Sequence, residues 1–238
     1  MAPLTLATDA IDAVIFDAGG VLLLPDAHLG QALFAGLGND EALSAWPDAW
    51  YRAYYAAMRF LDQADPTGQP SARRAMAEAV GVAPDRIEAG VSVMDQVAAA
   101  PWTAVDGAVQ ALRDLSDAGY KLAVVSDSNG TIAQELERLG ICSVDDSDIT
   151  RVGAVVDSHL AGVEKPNPAI FRIALDALGI EADRSLYVGD TVRFDVAGAQ
   201  AAGMHAVHLD PFSFCTGPGN QGHSHITGLL ELTSWLVR

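Results

Sequence analysis

AVIFDAGGVLLLPD, residues 13–26, carries an apolar run into a single aspartate, two adjacent glycines and a second apolar run. The segment Ala13-Val14-Ile15-Phe16 is short and rich in β-branched residues, and Gly19-Gly20 closes it soon after, which predicts a buried strand instead of a helix segment. In a parallel sheet the carboxyl end of such a strand opens into a ligand crevice, and Asp17 stands at that end. An aspartate there can equally cap a turn, with the glycines supplying backbone freedom. What the other strand ends carry decides between these readings.

Strand-type runs recur in KLAVVSDSNG (121–130), more weakly in ITRVGAVVDS (149–158), and again in RSLYVGD (184–190) and MHAVHLD (204–210). Helical patterns separate them: DGAVQALRDLSDAG (106–119), TIAQELERLG (131–140), NPAIFRIALDALG (167–179), DVAGAQAAG (195–203) and TGLLELTSWL (227–236). Pro168 suits a first helical turn, and Gly119, Gly140 and Gly179 suit helix ends. Strands alternating with helices of this length predict right-handed βαβ units in a doubly wound, mostly parallel sheet. Residues 25–101 break the alternation and read as helices over roughly 27–37, 40–63, 70–80 and 84–98. The second of these carries Trp46, Trp50, Tyr51, Tyr54, Tyr55 and Phe60, at spacings that suit helix packing. The expected architecture is therefore α/β, a Rossmann-like doubly wound core in residues 1–24 and 101–238 with an all-helical cap domain inserted over 25–100. FSFCTGPGNQGHSH (212–225) reads as a surface loop.

Of the 238 residues, 50% are hydrophobic, enough to bury a sizeable core. The 14 basic and 31 acidic residues leave a net charge of −17, which repels polyanions and excludes nucleic acid and anionic membrane surfaces as partners. Cys142 and Cys215 give neither a disulfide framework nor zinc-ligand spacing, and two cysteines far apart suit a reducing compartment. His223 and His225 fall in a Gly-rich loop, and with His205 and His208 they show no ligand spacing, so no transition-metal site is expected there. The N-terminal stretch shows no signal peptide, and no apolar run approaches the roughly 20 residues of a membrane span. A cytoplasmic protein is the expectation.

Each strand-type run ends in a polar group: Asp17, Ser126, Lys165 in GVEKPNP after the weak third run, and Asp190 in VGDTVRFD. Lys165 is one of only two lysines among the basic residues, which suits a position needing a compact point charge. Carboxylates, a hydroxyl and an ammonium group at successive strand ends are what a magnesium-assisted phosphoryl site requires, since magnesium takes hard oxygen ligands and a lysine neutralises phosphate oxygens. A carboxylate so placed can also attack phosphorus and form an aspartyl-phosphate. The adjacent glycines do not have the G-x-G-x-x-G spacing of dinucleotide binding.

With these pieces in this order, the chain resembles the haloacid dehalogenase superfamily, most of whose members are phosphatases. VIFDAGGVL matches its nucleophile motif, VVSDSNG its Ser/Thr motif, GVEKPNPAIF its lysine motif and VGDTVRFDVAGA its acidic motif. The inserted helices fall where that family has a helical cap. The resemblance implies a small phosphorylated metabolite as substrate and Mg2+ as cofactor. It further implies Asp17 as nucleophile and metal ligand, with the Gly19 carbonyl and Asp190 as further ligands and Asp195 as a ligand or a group supporting them, and Ser126, Lys165, Asp127 and Gly20 around the phosphate.

Two positions depart from the family pattern. Gly19 replaces the usual second aspartate, the group that protonates the leaving group and then activates water; losing such a group costs about 100- to 10,000-fold in rate. That favours substrates whose leaving group needs little protonation, or a substitute acid from the cap side, with Asp26 and His28 the nearest candidates. Dehalogenases of the family also lack this aspartate, and a non-catalytic binding protein would not need it; the retained Asp190 and Asp195 fit a dehalogenase less well. Asp127 stands where the family commonly has asparagine, adding negative charge beside the phosphate pocket.

Overall fold

The computed structural model describes residues 10–37, 45–63, 69–97, 101–145, 148–215 and 223–237. The chain divides into two units, Met1–Leu23 with Ala104–Arg238, and Leu24–Thr103. From β1 (Ala13–Phe16) the chain turns into β2 (Leu23–Pro25), enters the second unit, and returns through β3 (Trp102–Ala104), which pairs with β2.

The second unit is helical: α1 (Ala27–Phe34), α2 (Asp48–Gln63), α3 (Gln69–Ala79), a 3-10 turn (Pro84–Arg86) and α4 (Ile87–Val97). Asp26 caps α1, its Oδ1 accepting the Leu29 N–H at 2.9 Å. The predicted start of the second helix at residue 40 lies outside the described residues; α2 itself begins at Asp48, directly after Pro47, whose ring cannot continue a helix from before it. The aromatic residues at the start of this helix pack inward. Trp50 is fully buried, donates from Nε1 to the Pro25 carbonyl at 2.9 Å, and lies 5.9 Å from Phe34 and 5.5 Å from Trp46 between ring centroids. Gly30 lets α1 approach these indoles, since a Cβ there would come within 3.1 Å of both.

In the first unit follow α5 (Ala108–Asp117), β4 (Lys121–Ser126), α6 (Ile132–Arg138), β5 (Ala154–Asp157), a one-turn α7 (Ser158–Ala161), α8 (Pro168–Leu178) and β6 (Ser185–Gly189). A π-turn (Val192–Val196) leads into α9 (Ala197–Ala201), then β7 (His205–Leu209), β8 (Ser224–Ile226) and α10 (Leu229–Leu236). The strands form one six-stranded sheet in the order β5-β4-β1-β6-β7-β8, parallel at every pair. The fold is thus the α/β, doubly wound, parallel arrangement that the alternating pattern predicts. Because the chain builds outward from β1 first through β4 and β5 and then through β6, the direction of winding reverses beside β1, and the ends of β1, β4 and β6 open at that switch point.

One face of the sheet, with Ile15, Ala123, Val125 and Tyr187, packs on Ile170, Phe171, Ala174 and Leu175 of α8. Helix α8 is well terminated: Asn167 Oδ1 accepts the Ala169 N–H at 3.0 Å, and Gly179 takes the left-handed conformation (φ +60°) at the C-cap.

Two local expectations are corrected. Residues 212–225 are not loop throughout, because Ser224–Ile226 form β8 against β7; a three-residue edge strand is too short to show alternation. The helix expected from 195 is entered earlier, through the π-turn at Val192–Val196 that carries Asp195 inward. Among the described residues no helix is long and apolar enough to cross a membrane.

Candidate active site

Strand register brings the polar groups to one edge. Phe16 pairs with Val124 on one side and Val188 on the other, so Asp17, Ser126 and Asp190 emerge within two residues of the same level. The Asp17 N–H donates to the Val188 carbonyl at 2.8 Å, which carries β1 one residue beyond its last ladder pair. The chain then coils tightly: the Ala18 carbonyl accepts the N–H groups of Leu22 at 2.8 Å and Leu23 at 2.9 Å, with Gly20 at φ +73°. A side chain at Gly20 would strain that turn, whereas Gly19 is not among the positive-φ glycines.

Lys165, on the loop between α7 and α8, reaches back into this edge. Its Nζ lies 2.9 Å from Asp17 Oδ1 and 2.7 Å from Asp195 Oδ1, and all three side chains are buried. Asp17 Oδ1 also accepts the Ala18 N–H at 2.7 Å, which fixes the carboxylate plane. Asp195 is held on both oxygens: Oδ1 accepts from Lys165 Nζ and lies 3.2 Å from the Tyr187 hydroxyl, whose one proton is shared with the Val125 carbonyl at 3.1 Å, and Oδ2 accepts the Thr191 N–H at 3.0 Å and its hydroxyl at 2.5 Å. Gly189 makes room for this, since a Cβ there would fall 2.2 Å from the Asp195 Cβ. Asp127 is exposed, and its Oδ1 accepts the Lys165 backbone N–H at 3.0 Å. Its charge therefore anchors the lysine loop. Ser126 and Asp190 are buried at the ends of their strands.

Asp17, Asp190 and Asp195 each offer a carboxylate oxygen within 4.8 Å of the others. The Lys165 ammonium lies against two of these carboxylates, Asp17 and Asp195, in a buried setting. Burial pushes the Asp17 carboxyl up to about 7, and the neighbouring Asp195 adds to the rise while Lys165 opposes it. Burial alone would pull the Lys165 ammonium down, but the Asp17 and Asp195 carboxylates outweigh it and hold the group charged. Burial, then the adjacent carboxylates, raise Tyr187 and keep it a hydrogen-bond donor. A hard, all-oxygen donor set of three converging carboxylates fits a divalent cation of the magnesium class.

The structure thus brings together Asp17, Lys165, Asp190 and Asp195, with Ser126, Gly19 and Gly20 on the same strand ends and Asp127 beside Lys165. Asp26 and His28 belong to the second unit, where Asp26 serves as the α1 cap and His28 is exposed. Two participants escape the sequence reading. Tyr187 and Thr191 complete the shell of Asp195; a tyrosine inside an otherwise apolar strand is the available signal, because a buried hydroxyl needs a partner. A second cluster is also at odds with the sequence reading: His208, Cys215, His223 and His225 bring one potential ligand atom each within 4.8 Å of the others.

Comparison with known proteins follows the same lines. Residues 11–203 match the family model of haloacid dehalogenase-like hydrolases. The chain is 33% identical over 124 residues to the glyceraldehyde 3-phosphate phosphatase of Pyrococcus abyssi, a match covering 52% of this chain and 50% of that protein, so it spans about half the length of this curated relative. A HAD phosphatase from Thermococcus onnurineus shares the fold at a TM-score of 0.57 and 21% identity, over 95% of this chain and 98% of the other. L-2-haloacid dehalogenase from Xanthobacter autotrophicus, solved with chloropropionic acid covalently bound, does so at 0.55 and 19%, over 95% and 98%. At such identities the two structures speak to fold alone. With the family match running from the first strand to the end of α9, the chain belongs to the haloacid dehalogenase-like hydrolase family.

Proposed function

We propose that the protein is a magnesium-dependent phosphatase for small phosphorylated metabolites, with Asp17 as its nucleophile. The observation that carries this reading is the convergence of three buried carboxylates, Asp17, Asp190 and Asp195, each with an oxygen within 4.8 Å of the others, with the Lys165 ammonium against Asp17 and Asp195. Asp17, Asp190 and the Gly19 carbonyl would hold the cation, while Asp195, engaged on both oxygens, positions Lys165 from beside it. Magnesium when bound neutralises phosphate oxygens and polarises the phosphoryl group. Lys165 engages Asp17 and Asp195 through two of its three protons and has the third to offer a phosphate oxygen, and Ser126 donates from the neighbouring strand end.

An Asp17 oxygen attacks phosphorus, forming an O–P bond as the bond to the leaving oxygen breaks and that oxygen keeps the electron pair. Water then attacks the aspartyl-phosphate at phosphorus, the aspartyl O–P bond breaks, and inorganic phosphate and a proton leave. Gly19 provides no acid for the first step, so the first unit offers the leaving oxygen no proton from this position. Substrates with stable leaving groups are therefore favoured: acyl phosphates, aryl phosphates and sugar 1-phosphates. The Pyrococcus relative named for glyceraldehyde 3-phosphate agrees with a small metabolite as the class. In this reading the helical unit is the substrate-selecting cap, the partner is neither nucleic acid nor membrane, and the compartment is the cytoplasm.

The test is phosphate release from an aryl phosphate and an alkyl phosphate, with and without magnesium. Magnesium-dependent turnover of the aryl ester, at least about 100-fold faster than the alkyl ester, supports the reading. Asp17→Asn should lower that turnover by about 10,000-fold or more. Release of chloride from a 2-haloacid without magnesium, and of phosphate from neither ester, would replace it with dehalogenation; magnesium binding without turnover of any of these would replace it with a binding role.

A further inference from the structure

We infer that His208, Cys215, His223 and His225 form a four-ligand site for a zinc-class transition-metal ion, separate from the acidic cluster. Parallel pairing of β7 with β8 sets His208 directly opposite His225; His223 immediately precedes β8, and Cys215 follows the end of β7 by six residues. The four ligand atoms lie within 4.8 Å of one another. Cys215 Sγ and His223 Nε2 are 3.7 Å apart, close to the ~3.6 Å edge of a tetrahedron with Zn–S of about 2.3 Å and Zn–N of about 2.0–2.1 Å.

The supporting shell is also present. His208 Nε2 lies 3.1 Å from the Asp190 carbonyl, which can only accept, so the proton sits on Nε2 and the Nδ1 lone pair is left for a metal. His208 Nδ1 and His225 Nε2 are buried and have no hydrogen-bond partner among the described residues. A buried ring nitrogen without a partner is costly, and a metal ion would satisfy both. Asp210, itself buried, accepts the N–H groups of Phe214 at 2.9 Å and Cys215 at 2.7 Å, and so folds the chain back to bring the thiol toward the histidines. Burial, with mutual repulsion among the rings, pushes His223 down to about 4; burial likewise lowers His208 and His225. Neutral imidazoles are the form that binds metal; on binding, the Cys215 thiol loses its proton and coordinates as thiolate.

Three imidazoles and a thiolate select zinc, cobalt or another late transition ion over magnesium, and four protein ligands leave no open position, the mark of a structural site. The ion would tie β8 and the chain at Cys215 to the edge of the sheet. This inference does not depend on the phosphatase reading.

The test uses the full chain stripped with chelator and titrated with Co2+ and then Zn2+. One equivalent of cobalt should give strong visible d–d bands of tetrahedral type with a near-ultraviolet thiolate-to-cobalt band, zinc should displace it, and zinc should raise Tm by roughly 5–10 °C. Cobalt held by the acidic cluster would give weak octahedral bands without the sulfur band. Cys215→Ser should abolish the thiolate band, and His223→Gln should weaken metal binding by at least about 100-fold. The wild-type spectrum stands as evidence even if a variant misfolds. A wild-type chain that shows no tetrahedral cobalt spectrum, or a thiolate band that survives in Cys215→Ser, would overturn the inference.

Discussion

Asp17, Asp190 and Asp195 meet at the carboxyl ends of central strands, whereas His208, Cys215, His223 and His225 meet at the outer edge of the same sheet, where β7 pairs with β8. The central cluster is made of hard oxygens with a buried ammonium between them; the edge cluster is made of nitrogen and sulfur with a carboxylate, Asp210, behind it. A backbone carbonyl joins the two, since Asp190 contributes its carboxylate to one and its carbonyl oxygen to His208 of the other. One sheet therefore presents two donor sets of opposite softness, and each should select its own class of ion.

The contrast can be broken most severely at Lys165. Removing the ammonium leaves Asp17 and Asp195 buried without their counter-charge, so Lys165→Met should cost about 3–5 kcal/mol in urea denaturation without divalent cations. A loss below about 1 kcal/mol would show that the pair does not hold the centre. Next comes Gly189, where an added methyl group collides with Asp195. Gly189→Ala should destabilise by about 1–3 kcal/mol and reduce magnesium affinity, while leaving the cobalt spectrum of the edge cluster in place. Simultaneous loss of both would mean that the clusters are one cooperative site.

Acidity separates them further. Burial holds the Asp17 carboxyl up to about 7 in the metal-free chain, so below that pH a proton competes with the cation. Magnesium affinity measured by calorimetry should therefore fall about tenfold per pH unit on going below 7 and level off above it. A flat profile from pH 5 to 8 would contradict this. At the edge, Asp210→Asn keeps one acceptor for the loop but removes the charge behind the ligands. About a tenfold loss of cobalt affinity, read by competition with a chromophoric chelator, is expected, with magnesium affinity unchanged.

The two clusters also differ in how far the sequence reveals them. Asp17, Ser126 and Asp190 can be read because each ends a recognisable apolar run, and a parallel sheet aligns such ends. Lys165 stands out through the scarcity of lysine. The short shell around Asp195 is harder, because Tyr187 lies inside a strand whose facing is fixed only by its pairing with Ile15. The edge cluster is illegible for a stronger reason: the spacing of its four ligands resembles no zinc motif, and they converge only when β8, three residues long, takes its register against β7. Aromatic residues in α2 are legible as packing and are found so at Trp50.

The central claim is that Asp17 accepts the phosphoryl group. The most direct measurement is acid quenching of a single turnover of an aryl phosphate with magnesium, followed by mass spectrometry of the peptide containing residues 13–26. A phosphoryl group on Asp17 that appears and decays at the rate of phosphate release is the predicted result. Phosphate release with no adduct on Asp17, or an adduct on another residue, would contradict it.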